Sequence, residues 1–149
     1  MTSSLLRAAA TLRCYVAGEL IMSEDRATML QLLKNELNFL NSGGYHRGVR
    51  SPWRAAYLFE ESPSCPNYDD RARVHPCSSC WLMEFVPPEF RGEQVPCRFV
   101  QLTAAGLTVD SLYRYGTVLE TEVALRTWLQ QRIHEIESEL NDLKGLPFA

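Results

Sequence analysis

The sequence lacks any stretch of about 18 or more apolar residues, the length that a helix needs to cross a bilayer. It also lacks an excess of charge of one sign, since 15 Lys and Arg stand against 18 Asp and Glu. Broad nucleic-acid binding needs many cationic side chains that displace counterions from phosphates, so this balance argues against it. We therefore expect no membrane span and no extended basic surface for nucleic acid.

Familiar catalytic and nucleotide-binding motifs are missing as well. The sequence contains no G-x-S-x-G, no Walker loop, no G-x-G-x-x-G and no H-E-x-x-H. Glycine and proline, with eight residues each, are too few for a low-complexity chain, and a hydrophobic content of 46% suffices for one core. The sequence predicts a single domain over residues 1–149 that acts in interaction or regulation rather than in catalysis.

The number of cysteines, five, is odd, whereas a secreted disulfide framework normally uses an even number. The first 22 residues do not resemble a secretion signal, because Arg13 interrupts their apolar part. We expect this segment, 1–22, to form an extra helix. The sequence thus predicts a cytoplasmic protein in which thiols bind metal or stay free.

Two longer helices are predicted from their end signals and their apolar spacing. The first, 23–42, begins at the capping residue Ser23 and carries Leu at positions 30, 33, 37 and 40. The second, 117–144, begins with a capping box of Thr117 and Glu120. A shorter helix is predicted between them, capped by Thr108 and ended by a glycine at position 116.

An apolar stripe follows the long C-terminal helix, and its helical spacing allows two interpretations. It can pack against helix 23–42 of the same chain, or it can form a homodimeric coiled coil through residues 117–144. The sequence leaves both open, as it does an unidentified protein partner. The stripe comprises Leu125, Leu129, Ile133, Ile136, Leu140 and Leu143.

Three short segments rich in aromatic and β-branched residues are predicted as strands. They are 54–60, 81–86 and 98–102, and clusters of Pro, Cys, Ser and Asn bound them. We expect them to form a three-stranded antiparallel sheet within residues 54–104. The predicted fold class is therefore α+β, with this sheet flanked by the N-terminal helix and the long amphipathic C-terminal helix.

Four cysteines in the centre of the chain are candidate metal ligands. Cys77 and Cys80 form a C-x-x-C pair, which brings two sulfurs within reach of one ion. Antiparallel pairing of the first two predicted strands would place Cys65 beside them at one edge of the sheet. Cys97 is the candidate fourth ligand and His75 its alternative. We expect a structural Zn²⁺ site, with an iron–sulfur cluster or free thiols as alternatives.

Rival functions remain on the same sequence. An open zinc site with three protein ligands would favour an enzyme, and the C-x-x-C pair could act as a redox dithiol. The loop 46–54 combines cationic and aromatic side chains, which can hold nucleic acid or a phosphorylated ligand through phosphate pairing and stacking. The candidate contacts in this loop are Arg47, Arg50, Trp53 and Arg54.

Overall fold

A computed structural model describes residues 24–46 and 56–145 of the chain. It contains three α-helices, which we number α1 (24–41), α2 (Val109–Tyr115) and α3 (Val118–Gly145). With the shorter 3₁₀ turns, helix accounts for 63% of the described residues. The extra helix predicted over 1–22 lies outside them. None of the described helices combines the length and apolar content needed to cross a membrane.

The predicted three-stranded sheet is wrong, and with it the α+β fold class. Across residues 24–46 and 56–145 there is no strand, and the only β-type pairing is an isolated bridge between Gln101 and Thr108. The described part of the first predicted strand is irregular, the second lies largely in a 3₁₀ turn, and only the first two residues of the third do. The 3₁₀ turns of the chain are Gly44–His46, Cys77–Ser79, Trp81–Phe85, Pro88–Phe90 and Pro96–Phe99.

Local backbone chemistry explains why these apolar runs do not become strands. Phe59 adopts the left-handed conformation with φ of 68°, which breaks an extended run. Prolines at 87, 88 and 96 border the second and third runs, and they lack the amide hydrogens with which a sheet ladder could continue past those ends. Hydrogen bonds between backbone groups three residues apart close tight turns instead. One example is the 3.1 Å bond from the Met83 amide to the Cys80 carbonyl. The aromatic enrichment therefore serves a core and not a sheet.

Helices α1 and α3 run antiparallel along each other. Near the start of α1, Arg26 lies 3.3 Å from the Glu139 carboxylate in the last turns of α3. At the other end, Arg126 donates a 3.1 Å hydrogen bond to the side-chain oxygen of Asn41. Low residue numbers of α1 thus pair with high numbers of α3, as an antiparallel helix pair requires.

The apolar stripe of α3 is used inside the chain. Leu125, Leu129 and Ile136 are buried, in one core with Leu33 and Leu40 of α1. A homodimer through residues 117–144 stays a prediction, and it would have to use other side chains of this helix than these.

The ends of α2 and α3 follow the capping signals of the sequence. Thr108 accepts a hydrogen bond from the Ser111 amide, 3.1 Å, and the Ser111 hydroxyl accepts one from the Thr108 amide. At the start of α3, the hydroxyl of Thr117 and the carboxylate of Glu120 exchange bonds with the backbone in the same way. The predicted caps at both helix starts are confirmed, because a cap depends only on adjacent residues.

The irregular residues between α1 and α2 pack on α3 through aromatic side chains. Phe59, fully buried, meets Trp81 and Trp128 edge to face, with ring centroids 6.3 and 5.9 Å apart. Phe85 makes a similar contact with Trp128 at 5.0 Å. Such pairs add stabilisation beyond the area they bury. They hold a segment without regular structure against a regular helix.

A buried carboxylate joins α1 to this irregular segment. Glu36 is fully inaccessible to solvent, and it accepts hydrogen bonds from the hydroxyls of Tyr45, Ser62 and Ser64. The Tyr45 hydroxyl in turn accepts a 2.9 Å bond from the Phe59 amide. A buried carboxylate is tolerated only where such donors satisfy its oxygens. We call these four side chains, from residues 36, 45, 62 and 64, the hydroxyl cluster.

Replacing Glu36 by Ala should lower the free energy of unfolding by about 3 kcal/mol, because the buried hydroxyls of Tyr45 and Ser62 and the half-buried one of Ser64 lose their acceptor. Urea denaturation followed by tryptophan fluorescence measures the loss. Asn35→Ala, at the exposed neighbouring position on α1, is the matched control and should change the free energy by less than about 0.5 kcal/mol. Equal effects of the two substitutions would contradict the role of the hydroxyl cluster.

Candidate functional site

Four cysteines from three turns of the chain line one pocket. Cys65 directly follows Ser64 of the hydroxyl cluster. Cys77 begins a 3₁₀ turn and Cys80 directly follows it, whereas Cys97 lies in the 3₁₀ turn of residues 96–99. All four are free thiols. We call this the thiol pocket; its other lining residues are Phe59, Glu60, Pro66, Asn67, Arg73, His75, Pro76, Leu82, Met83 and Pro96.

The hydroxyl cluster positions Cys65. Ser62 and Ser64 bind the Glu36 carboxylate, and the Cys65 amide donates a 3.0 Å hydrogen bond to the Ser62 carbonyl. The Trp81 indole donates a 3.2 Å bond to the carbonyl of Ser64. The backbone before Cys65 is therefore fixed from α1 on one side and from the segment after Cys80 on the other.

A compact turn presents the C-x-x-C pair. The Cys80 amide donates to the Cys77 carbonyl at 3.0 Å, so the two cysteines bracket a single 3₁₀ turn. Just before it, the Asn67 amide group binds both backbone groups of His75, at 2.8 and 3.0 Å. This clamp closes the loop between Cys65 and Cys77, and so brings the two ends of that loop to the same pocket.

Cys97 reaches the pocket from a third turn, that of residues 96–99. Its neighbour Arg98 makes two hydrogen bonds with the Glu60 carboxylate, at 2.8 and 3.0 Å, and lies over the ring of Tyr57 at 4.0 Å. The ring of Tyr57 is itself stacked on Tyr113 of α2, with centroids 3.6 Å apart. Arg98 thus holds the neighbouring Cys97 in place, because it binds Glu60 in the pocket wall and contacts α2 through Tyr57.

The environment of the pocket raises the pKa of two of its thiols. Burial, reinforced by the Glu60 carboxylate and the three other cysteines, raises the pKa of Cys97 far above the usual range of a thiol. Burial also raises the pKa of Cys80, with smaller contributions from Cys65 and Cys77. A reactive cysteine requires the opposite, an electropositive surrounding that favours the thiolate.

The predicted metal-binding group is not found in the structure. Within residues 24–46 and 56–145, no three His, Cys, Asp or Glu side chains are placed so that they could hold a metal ion. The prediction of a ready-made zinc centre at a sheet edge is therefore wrong in both parts. The strand pairing that was to align the sulfurs does not exist, and the turns that replace it bring the cysteines to one pocket without forming a ligand group.

The other predicted site residues divide between described and undescribed parts of the chain. His75 lines the thiol pocket with part of its surface, although the residue is exposed to solvent. Of the loop 46–54, the structure describes only His46, which ends a 3₁₀ turn and pairs with Glu122 of α3. The four predicted contacts of this loop, Arg47, Arg50, Trp53 and Arg54, lie outside the described residues.

Sequence reasoning missed the polar residues that hold the pocket together. Glu60, Asn67 and Arg98 bind partners 38 or 8 positions away, and no local motif announces such pairs. Among them, only the position of Arg98 directly after Cys97 gave a signal, and it is a weak one.

Comparison with known proteins gives no further guide. No protein-family model matches the chain, and neither a curated protein nor a solved structure matches it significantly. The thiol pocket must therefore be interpreted from its own chemistry.

Alkylation with iodoacetamide should distinguish the thiols of the pocket. At pH 8 we expect Cys97 to react at least about tenfold more slowly than a free thiol of ordinary pKa, because burial suppresses its thiolate. Peptide mass spectrometry over time measures each rate, and the protein unfolded in urea is the control in which the rates converge. Rapid labelling of Cys97 in the folded protein would contradict its burial.

Proposed function

We propose that this protein is a cytoplasmic interaction or regulatory module in which the thiol pocket has a structural role. The observation that carries the proposal is the convergence of Cys65, Cys77, Cys80 and Cys97 in a region that has no strand among its described residues. Such a region cannot draw on a sheet ladder for stability. Side-chain contacts around one pocket can supply the stability that backbone pairing does not supply.

The chemistry of the thiols supports a structural role over a redox role. A dithiol catalyst needs a thiolate of lowered pKa, often at the start of an α-helix. Here the pKa of Cys80 is raised, and the C-x-x-C turn leads into the 3₁₀ turn Trp81–Phe85. Two arginines lie near the pocket, Arg73 in its wall and Arg98 beside Cys97, and both pair with the Glu60 carboxylate.

The cofactor stays a prediction, with Zn²⁺ first and an iron–sulfur cluster as the alternative. Because the described side chains form no group that could hold an ion, binding would require the sulfurs to move closer together. Elemental analysis with a thiol count tests this separately. Zinc in equimolar amount with protected thiols would support the predicted ion, whereas freely reacting thiols without metal would leave a plain thiol pocket.

The cytoplasmic location is part of the proposal. It rests on the odd number of cysteines in the sequence and on the free thiols at the pocket, since a reducing compartment preserves thiols. Localisation of a tagged full-length chain tests it directly.

Cys97→Ser should destabilise the protein by about 1 to 3 kcal/mol, because it replaces a buried thiol by a hydroxyl that is more costly to remove from water. Thermal and urea unfolding measure the loss, and limited proteolysis should show faster cleavage within residues 57–100. Ser79→Ala, at an exposed position inside the C-x-x-C turn, is the matched control and should leave both unchanged.

An unchanged stability of Cys97→Ser would contradict the structural role. If Cys77→Ser, which breaks the C-x-x-C pair, instead kept the stability of the parent protein and removed a measurable thiol–disulfide exchange activity, the redox alternative would replace the proposal.

A further inference from the structure

An apolar surface is exposed where α2 meets α3. Tyr115, the last residue of α2, is 86% exposed, and Leu119 in the first turn of α3 is 69% exposed. Val118 and Val123 beside them are each nearly half exposed. Leu119 and Val123 stand one helical turn apart and so share a face of α3. We call these four residues the corner patch.

The corner patch is separate from the core and from the thiol pocket. The buried face of α3 carries Leu125, Leu129 and Ile136, whereas the corner patch lies among positions that face solvent. Single exposed apolar residues need no explanation, but four within nine positions form a surface of the kind that contacts a partner.

We propose that the corner patch is the docking surface for the N-terminal segment of the same chain, residues 1–22. This segment is long enough to reach the corner patch. Helix α1 begins beside the end of α3, where Arg26 lies 3.3 Å from Glu139. From there to Leu119 the distance along α3 is about 30 Å at ~1.5 Å per residue. A chain of this length covers that distance whether it is helical or extended.

The composition of this segment also matches the surface around the corner patch. More than half of residues 1–18 are apolar, and the segment carries Arg7 and Arg13 with no acidic residue before Glu19. The surface next to the corner patch carries two carboxylates, Glu120, which caps α3 with Thr117, and Glu122, which pairs with His46. Residues 105–149 as a whole contain seven acidic and four basic side chains. Apolar contact and charge therefore favour the same partner.

A second copy of the chain fits the corner patch less well. Stable interfaces between proteins bury about 800 Å² on each partner and use roughly 20 to 30 residues a side, far more than four. A tethered segment needs less area, because its effective concentration near the surface is on the order of millimolar.

Hydrogen exchange of the full-length chain, read by mass spectrometry, tests the proposal. In the parent protein, peptides from residues 1–22 should exchange about tenfold or more slowly than the same peptides in Leu119→Glu, which places an anion in the apolar contact. Val74→Glu is the matched control, because Val74 is also 69% exposed but lies outside the corner patch. It should leave the exchange of residues 1–22 unchanged.

A second variant, Val123→Ser, keeps the test independent of any folding defect in the first, and it should release the same segment. Equal exchange of residues 1–22 in the parent, in Leu119→Glu and in Val123→Ser would overturn the proposal. So would sedimentation that shows a dimer of the parent chain which Leu119→Glu dissociates, because the second copy would then be the occupant.

Discussion

The structure depends on the burial of one carboxylate. Glu36 stands on the core side of α1, where an unsatisfied charge would cost several kcal/mol. Three hydroxyls remove that cost, and they come from different places: Tyr45 follows α1, and Ser62 and Ser64 precede the first cysteine of the pocket. The requirement to satisfy one side chain thus fixes where the chain returns to α1.

The thiol pocket follows from that return. Once the backbone before Cys65 is fixed, side-chain bonds take over the task that a sheet ladder performs in other folds. The clamp of Asn67 on His75 and the pair of Glu60 with Arg98 hold the turns that carry the remaining cysteines. Aromatic packing on Trp128 then attaches this irregular region to α3. Regular helices and an irregular segment share one core.

Sequence reasoning succeeded where the cause is local. Caps at Thr108 and Thr117 depend on residues three positions away. The packing of the apolar stripe of α3 on α1 was one of two interpretations that the sequence left open, and the antiparallel direction was not predicted. Sequence reasoning failed for the sheet, because aromatic enrichment marks burial without specifying an extended backbone, and the left-handed Phe59 and the prolines decide otherwise.

The hydroxyl cluster left one trace in the sequence. Glu36 is three positions after Leu33 and four before Leu40, so it lies on the apolar face of α1, and a glutamate on a helix is ordinarily read as solvated. Its partners lie 9 to 28 positions away and cannot be found by spacing. The bonds that bring the cysteines together are equally distant in sequence. Their convergence was therefore expected from a strand pairing that does not form.

The most direct test of the account is cross-linking of the native protein with the shortest bifunctional thiol reagents, followed by peptide mapping. If the turns converge as described, links should join Cys97 to Cys65, Cys77 or Cys80, although Cys97 is far from them in sequence. Links confined to Cys77 and Cys80, with Cys97 joined to none of the other three after prolonged reaction, would contradict the thiol pocket and the path of the chain that forms it.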